Sequence, residues 1–93
     1  MTEVRIPPVL RAEAGGRRRV TVEAATVHEA LRKLVADFPA LESRVLPGDA
    51  VPPYLNLFVD GEDVRIREGL DTPIGPGSSL VLLPAVAGGR GPS

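Results

Sequence analysis

Apolar and polar residues alternate along the start of the chain, as they do in a strand that has one buried face. In "EVRIPPVL", Val4 and Ile6 share a face, although Pro7 and Pro8 lack the amide that a strand ladder needs. The turn sequence "AGG" and the segment "RRRVTVE" follow. Because glycine tolerates the positive φ of a tight turn, this pattern predicts an N-terminal hairpin with a bulge or edge at the prolines.

Helical spacing replaces the alternation in "TVHEALRKLVADFP". Thr26 and Glu29 are spaced as in a capping box, and Pro39 stands where it would end a helix. The apolar positions of the segment are Val27, Ala30, Leu31, Leu34 and Phe38. The pattern therefore predicts one amphipathic helix that lies across the sheet.

Residues 40–53 are rich in proline and glycine, which predicts a loop with one short turn. Alternation returns in "YLNLFVDGEDVRI", where Tyr54, Asn56 and Phe58 face away from the two leucines and Val59. The Asp-Gly pair then predicts a tight turn into a short strand around residues 64–66.

A last strand is predicted from about Ser79 to Leu83, where Leu80 and Leu82 alternate with Val81 and Leu83. The order is strand, strand, helix, strand, short strand, strand. This order predicts an α+β fold, the ubiquitin-like β-grasp, with a mixed sheet, one main crossover helix and parallel first and last strands. We expect residues 1–84 to form this domain and residues 85–93 to form a flexible tail.

Composition limits the chemistry that a chain of 93 residues can perform. The chain has no cysteine and one histidine, His28, which we expect to face solvent without a chemical role. A net charge of −1 argues against nucleic-acid binding, and "RRR" at residues 17–19 reads as a solvated strand. Since no signal peptide or membrane-spanning run is evident, we expect a cytoplasmic protein without a membrane partner.

The glycine pair in "LPAVAGGRGPS" is the candidate for reactive chemistry. Two residues without a Cβ can thread a narrow channel and place a carboxylate inside another protein's active site. A carboxylate needs activation, typically through ATP, and the chain has no phosphate-binding motif of its own. We therefore expect a carrier without a bound cofactor, not an enzyme, whose activating partner uses ATP and Mg²⁺.

The chain contains the segments "VRIPPVLR", the following "GG", "FVDGEDVR", "GLDTPI" and above all "LPAVAGG", within residues 3–89. These segments resemble the bacterial ubiquitin-like sulfur carriers of the MoaD/ThiS family, most closely the CysO type. The resemblance implies that an E1-like enzyme adenylates the final glycine and that sulfur converts it to a thiocarboxylate. It implies further that a biosynthetic enzyme accepts the sulfide. By position, Gly89 would carry the thiocarboxylate and Gly88 would thread the channel beside it.

The chain departs from that family in the "RGPS" that follows Gly89. With Arg90 attached, Gly89 is a peptide carbonyl and cannot be adenylated. The favoured interpretation is a proprotein, in which a metalloprotease of the JAMM type cuts between Gly89 and Arg90, as in related carriers. The alternatives are a remnant of cloning and a carrier that has lost its function.

Strand alternation also predicts where a partner would dock. Tyr54, Phe58 and Leu83 are expected on the outer face of the sheet, and Arg11 is a further candidate. A shift of one residue in register would invert this assignment.

Two other functions use the same architecture. A protein modifier would transfer the activated Gly89 to a lysine of a target protein, as ubiquitin does. A simple β-grasp binding module would not need its tail. The identity of the sulfur acceptor stays open, since cysteine, cofactor and natural-product pathways would use the same carrier.

Overall fold

The first and last strands of the domain form the centre of its sheet. The structure, a computed structural model, describes residues 1–85. Strand β1 (Thr2–Arg5) runs parallel to strand β5 (Ser79–Pro84), with Val4 opposite Leu80. Both of these side chains are fully buried. The predicted parallel pair is therefore confirmed.

Three further strands complete a mixed five-stranded sheet. Strand β2 (Arg19–Val22) pairs antiparallel with β1, and β3 (Leu55–Val59) pairs antiparallel with β5. The short strand β4 (Glu62–Asp63) pairs antiparallel with β3, so the strand order is β2-β1-β5-β3-β4. This arrangement confirms the β-grasp fold.

Helix α1 (Val27–Asp37) covers one face of the sheet. The Glu29 amide donates to Thr26 Oγ1 at 3.2 Å, as a capping box requires. The carboxylate of Glu29, however, accepts the amide of Ala25 at 2.7 Å, one residue before the expected one. The helix ends at Asp37, because the next residues are Phe38 and the predicted helix stop Pro39.

The core lies between α1 and the sheet, and both elements contribute their predicted apolar sides. From the sheet these are leucines and valines, namely Val4, Val22, Leu55, Leu57, Val59, Leu80 and Leu82, and Ile6 follows directly after β1. From the helix they are Val27, Ala30, Leu31 and Leu34, with Phe38 partly buried at the end. The alternation and the helical spacing in the sequence therefore predicted the buried faces correctly.

The prediction of a loop over residues 40–53 was incomplete. This stretch contains helix α2 (Glu42–Val45), and two 3-10 turns flank it at Pro39–Leu41 and Pro47–Asp49. Leu41, Val45 and Leu46 are buried in the core. Burial of these three side chains orders a segment whose prolines and glycine made it look irregular.

The short strand predicted around residues 64–66 lies about two positions earlier, at Glu62–Asp63, so the predicted position was wrong. The Asp-Gly turn has positive φ at both Asp60 (50°) and Gly61 (89°), so its two residues lead directly into β4 at Glu62. Asp63 Oδ1 then accepts the amide of Arg65 at 2.9 Å and caps a 3-10 turn, Val64–Ile66. The cap bends the chain out of the sheet, which ends the strand early.

The N-terminal hairpin is present, but its connection is longer than a tight turn. A 3-10 segment, Pro8–Ala14, follows β1 and buries Leu10 and Ala14. Gly15 and Gly16 then take φ values of 66° and 79° and turn the chain toward β2. A further 3-10 turn is Gly69–Asp71.

Replacing the helix cap should destabilise the domain without changing its fold. Thr26→Ala removes the hydroxyl that accepts the Glu29 amide, and we expect a loss of about 1 kcal/mol in the free energy of unfolding. Urea unfolding followed by circular dichroism measures it. Ser43→Ala, an exposed change within α2, is the control. Equal stability of the two variants would contradict the capping role of Thr26.

Candidate functional site

The sheet face opposite α1 carries a band of apolar side chains, which we call the docking face. It consists of Tyr54, Phe58, Val81 and Leu83. Tyr54 and Leu83 are each 45% exposed, and Phe58 and Val81 are partly exposed. The structure thus brings together three of the four predicted docking residues, Tyr54, Phe58 and Leu83. Such an exposed apolar band is typical of protein contact surfaces.

Strand register explains why these side chains are neighbours. Phe58 pairs with Val81 across β3 and β5, and Val81 pairs with Arg5 across β5 and β1. Leu83 pairs with Asn56 on the same face. Val81 was not among the predicted docking residues, although its alternation with Leu82 indicated its face. Only the pairing register shows that it lies between Phe58 and Arg5.

A polar network borders the docking face on the side of β4. Arg65 Nη2 donates to Asn56 Oδ1 at 2.6 Å and to Asp63 Oδ2 at 2.8 Å. The Arg65 guanidinium, and then its backbone amide, hold the pKa of the Asp63 carboxyl below its ordinary value. The side-chain hydrogen bond with Asp63 and the negative charge of that carboxylate raise the pKa of Arg65. The guanidinium is therefore held in place beside the apolar band.

Arg11, the fourth predicted docking residue, lies outside the docking face. It belongs to the 3-10 segment between β1 and β2, and its Nε donates to the carbonyl of Ile6 at 3.1 Å. With Arg5, Arg18 and Arg19 it lines a surface groove at the side of the sheet. The sequence separates these arginines, and the hairpin brings them together.

The last described residue is still attached to the sheet. The amide of Ala85 donates to the carbonyl of Tyr54 at 2.6 Å, one step beyond the pairing of Leu55 with Pro84. The chain therefore leaves the sheet beside the docking face. Gly88, Gly89 and the proposed cleavage site before Arg90 lie outside the described residues.

His28 has a partner that the sequence did not indicate. Its Nε2 lies 2.8 Å from Oδ1 of Asp49 at the protein surface. This hydrogen bond lowers the pKa of Asp49. Asp49 stands in the 3-10 turn after α2, and the contact joins that turn to the first turn of α1.

Over residues 1–85, no group of three or more histidine, cysteine or carboxylate side chains could hold a metal ion. No helix among these residues is long and apolar enough to cross a membrane.

Comparison with known proteins identifies the family. The sequence model of the ThiS family matches residues 4–89. The chain belongs to the ThiS family. Sulfur carrier protein CysO of Mycobacterium tuberculosis is 37% identical over 90 residues, which cover 92% of this chain and 96% of that protein. The predicted membership of this sulfur-carrier family is confirmed.

Solved structures support the same assignment. The chain is similar to a crystal structure of the Amycolatopsis orientalis BexX/CysO complex, with a TM-score of 0.88 and 33% identity. That match covers 95% of this chain and 99% of the other. Small archaeal modifier protein 1 of Haloferax volcanii is 39% identical over 82 residues, 84% of this chain and 90% of that protein. The relatives of this ThiS-family chain thus include sulfur carriers and protein modifiers.

The hydrogen bonds from Arg65 should determine how far the pKa of Asp63 lies below its ordinary value. Arg65→Ala should raise the pKa of Asp63 toward the ordinary carboxyl value of about 3.9, because the charged form loses its main hydrogen-bond donor. The rise should be partial, since the backbone amide of residue 65 still donates. An NMR titration of the Asp63 carboxyl carbon measures it.

The lowered pKa of Asp63 also makes the stability of the domain depend on pH. The pKa of Asp63 is depressed in the folded protein, so its contribution to stability is present above the unfolded pKa and is lost as pH falls through the folded pKa. Arg67→Ala is the control, because Arg67 pairs with Glu62 at 3.0 Å and not with Asp63. An unchanged Asp63 pKa in Arg65→Ala would contradict the assignment.

Proposed function

We propose that this sulfur carrier is loaded at the carboxylate of Gly89. The observation that carries the proposal is the match of the ThiS family to residues 4–89, since it ends on the second glycine of the pair. Sulfur carriers related to this chain at 37% identity support it. The β-grasp domain serves as the handle and the tail carries the reactive group.

The loading chemistry belongs to a partner of the E1-like class. A carboxylate oxygen of Gly89 attacks the α-phosphorus of ATP, which forms an acyl-adenylate and releases pyrophosphate. Hydrosulfide then displaces AMP and leaves a thiocarboxylate. A biosynthetic enzyme takes sulfide from it, and the carboxylate of Gly89 is restored. The partner binds the ATP and Mg²⁺. Because loading consumes ATP, we place the carrier in the cytoplasm.

Loading requires that Gly89 be the C-terminal residue. We propose that a metalloprotease of the JAMM type removes the four residues after Gly89 by cutting before Arg90. The free carboxylate produced by that cut is the group that ATP activates. The docking face borders the point where the chain leaves the sheet, so a partner bound there is close to the tail.

A chain that ends at Gly89 should be adenylated, and the chain of 93 residues should not. ATP–pyrophosphate exchange with the E1-like enzyme of the same organism measures adenylation, and intact mass then reports the exchange of one oxygen for sulfur. A chain that ends at Gly88 is the control for the position of the carboxylate. Equal adenylation of the 93-residue chain, with its mass unchanged beforehand, would contradict the need for cleavage.

The docking face should set the affinity for the activating partner. Phe58→Ala on the 89-residue chain should raise the KM of the carrier about tenfold, the effect of losing about 1.4 kcal/mol at a buried aromatic contact. Steady-state exchange kinetics measure KM and kcat separately. Ile66→Ala is the control, since Ile66 is 75% exposed but lies in the 3-10 turn outside the sheet. Equal KM values for Phe58→Ala and the control would contradict a contact between Phe58 and the activating partner.

A protein modifier is the second candidate function. The identity of 39% to a small archaeal modifier protein of Haloferax volcanii favours it. Both functions use the same activated Gly89, so their products distinguish them. A thiocarboxylate appears as a small mass increase on the free carrier, whereas modification joins Gly89 to a lysine of a larger protein.

A further inference from the structure

A groove beside the docking face concentrates positive charge. Arg5, Arg11, Arg18 and Arg19 line it, together with Ile6. Residues 1–19 contain five arginines and two glutamates, although the whole chain has 11 basic and 12 acidic residues. The rest of the chain is therefore acidic overall, and the groove has the opposite charge.

The fold holds this arginine groove in a defined shape. Arg5 and Arg19 are directly opposite each other in the pairing of β1 with β2. The carbonyl of Arg18 accepts the amide of Ile6 at 2.8 Å, and the carbonyl of Ile6 accepts Nε of Arg11 at 3.1 Å. Backbone pairing and one side-chain hydrogen bond therefore place all four arginines around Ile6.

The arginines greatly outnumber the carboxylates that neutralise them. Glu3 contacts Nε of Arg5 at 3.0 Å and Nη1 of Arg19 at 3.9 Å. Within residues 1–85, neither Arg11 nor Arg18 forms an ion pair. Glu3 therefore bridges Arg5 and Arg19, and the groove keeps an excess of positive charge.

Protection of a sheet edge explains only part of this arrangement. Arg19 lies on β2, the outer strand, where charge discourages pairing with another chain. Arg5 lies on β1, an inner strand, and Arg11 lies outside the sheet. Edge protection requires neither Arg5 nor Arg11.

The groove is continuous with the docking face. Arg5 pairs with Val81, and Val81 pairs with Phe58, so the three side chains form one row across the sheet. A protein that covers Phe58 and Val81 also covers Arg5 and approaches the other arginines. Covering guanidinium groups without partners would be costly, so this protein must supply negative charge.

We infer that the activating partner inserts a cluster of aspartate or glutamate side chains into the arginine groove. The inference rests on the proposed role of the docking face and identifies the chemistry of the surface that meets it. Guanidinium groups bind carboxylates through paired hydrogen bonds, which fix orientation as well as add attraction. The apolar docking face provides contact area, and the arginine groove sets the orientation in which the tail is presented.

Charge reversal on the 89-residue chain tests the inference. Arg18→Glu combined with Arg19→Glu should raise the KM for the E1-like enzyme of the same organism by roughly tenfold or more, with kcat unchanged. The effect should shrink as salt concentration rises. The matched control reverses two adjacent exposed charges, Arg32→Glu with Lys33→Glu. Both residues lie on α1, which covers the sheet face opposite the docking face. Equal KM values for the two double variants would overturn the inference.

A second variant and a direct probe keep the test independent of folding and of the proposed function. Arg11→Gln should raise KM as well, and thermal unfolding checks that it remains folded.

If the unmodified 89-residue chain is not adenylated, the proposed function fails and the groove is tested by NMR titration with a glutamate hexapeptide. The Nε–H resonances of Arg11 and Arg18 should shift with this peptide and not with a glutamine hexapeptide. Unshifted resonances, or tighter binding of a DNA oligonucleotide, would overturn the inference.

Discussion

The parallel pairing of β1 with β5 is the contact on which the rest of the structure depends. Parallel neighbours cannot be joined by a tight turn, so the chain must travel back to the same end of the sheet before β5 can form. Helix α1 lies on this path and covers the face that β1 and β5 share. Because β5 is both the last strand and an inner strand, the sheet is complete only when nearly the whole domain is present.

This topology separates the buried core from the exposed apolar band. The residues of β5 that face α1, Leu80 and Leu82, are fully buried, whereas their neighbours Val81 and Leu83 reach the opposite face. The same strand thus serves the core and the docking face through alternate side chains. Side chains of the docking face can therefore change while the core keeps its packing.

Local patterns predicted much of the fold, and long-range pairing decided what they missed. The alternation in β3 and the helical spacing of α1 identified buried side chains correctly, because each depends on a period within one element. Helix α2 escaped prediction, since Leu41, Val45 and Leu46 become ordered by burial against distant parts of the chain. Val81 and the arginine groove escaped for a similar reason. Their neighbours are fixed by strand register and by a hairpin connection, which no short window of sequence contains.

The hydrogen bond between the Ala85 amide and the Tyr54 carbonyl has a consequence for distance. It is the last described attachment to the sheet, and Gly89 follows four residues later. A fully extended chain spans at most 3.6 Å per residue, so four residues reach about 14 Å. Under the proposed function, an active centre that receives Gly89 would lie within that contour length of the end of β5. A partner with a deeper catalytic channel would have to admit the edge of the domain as well as its tail.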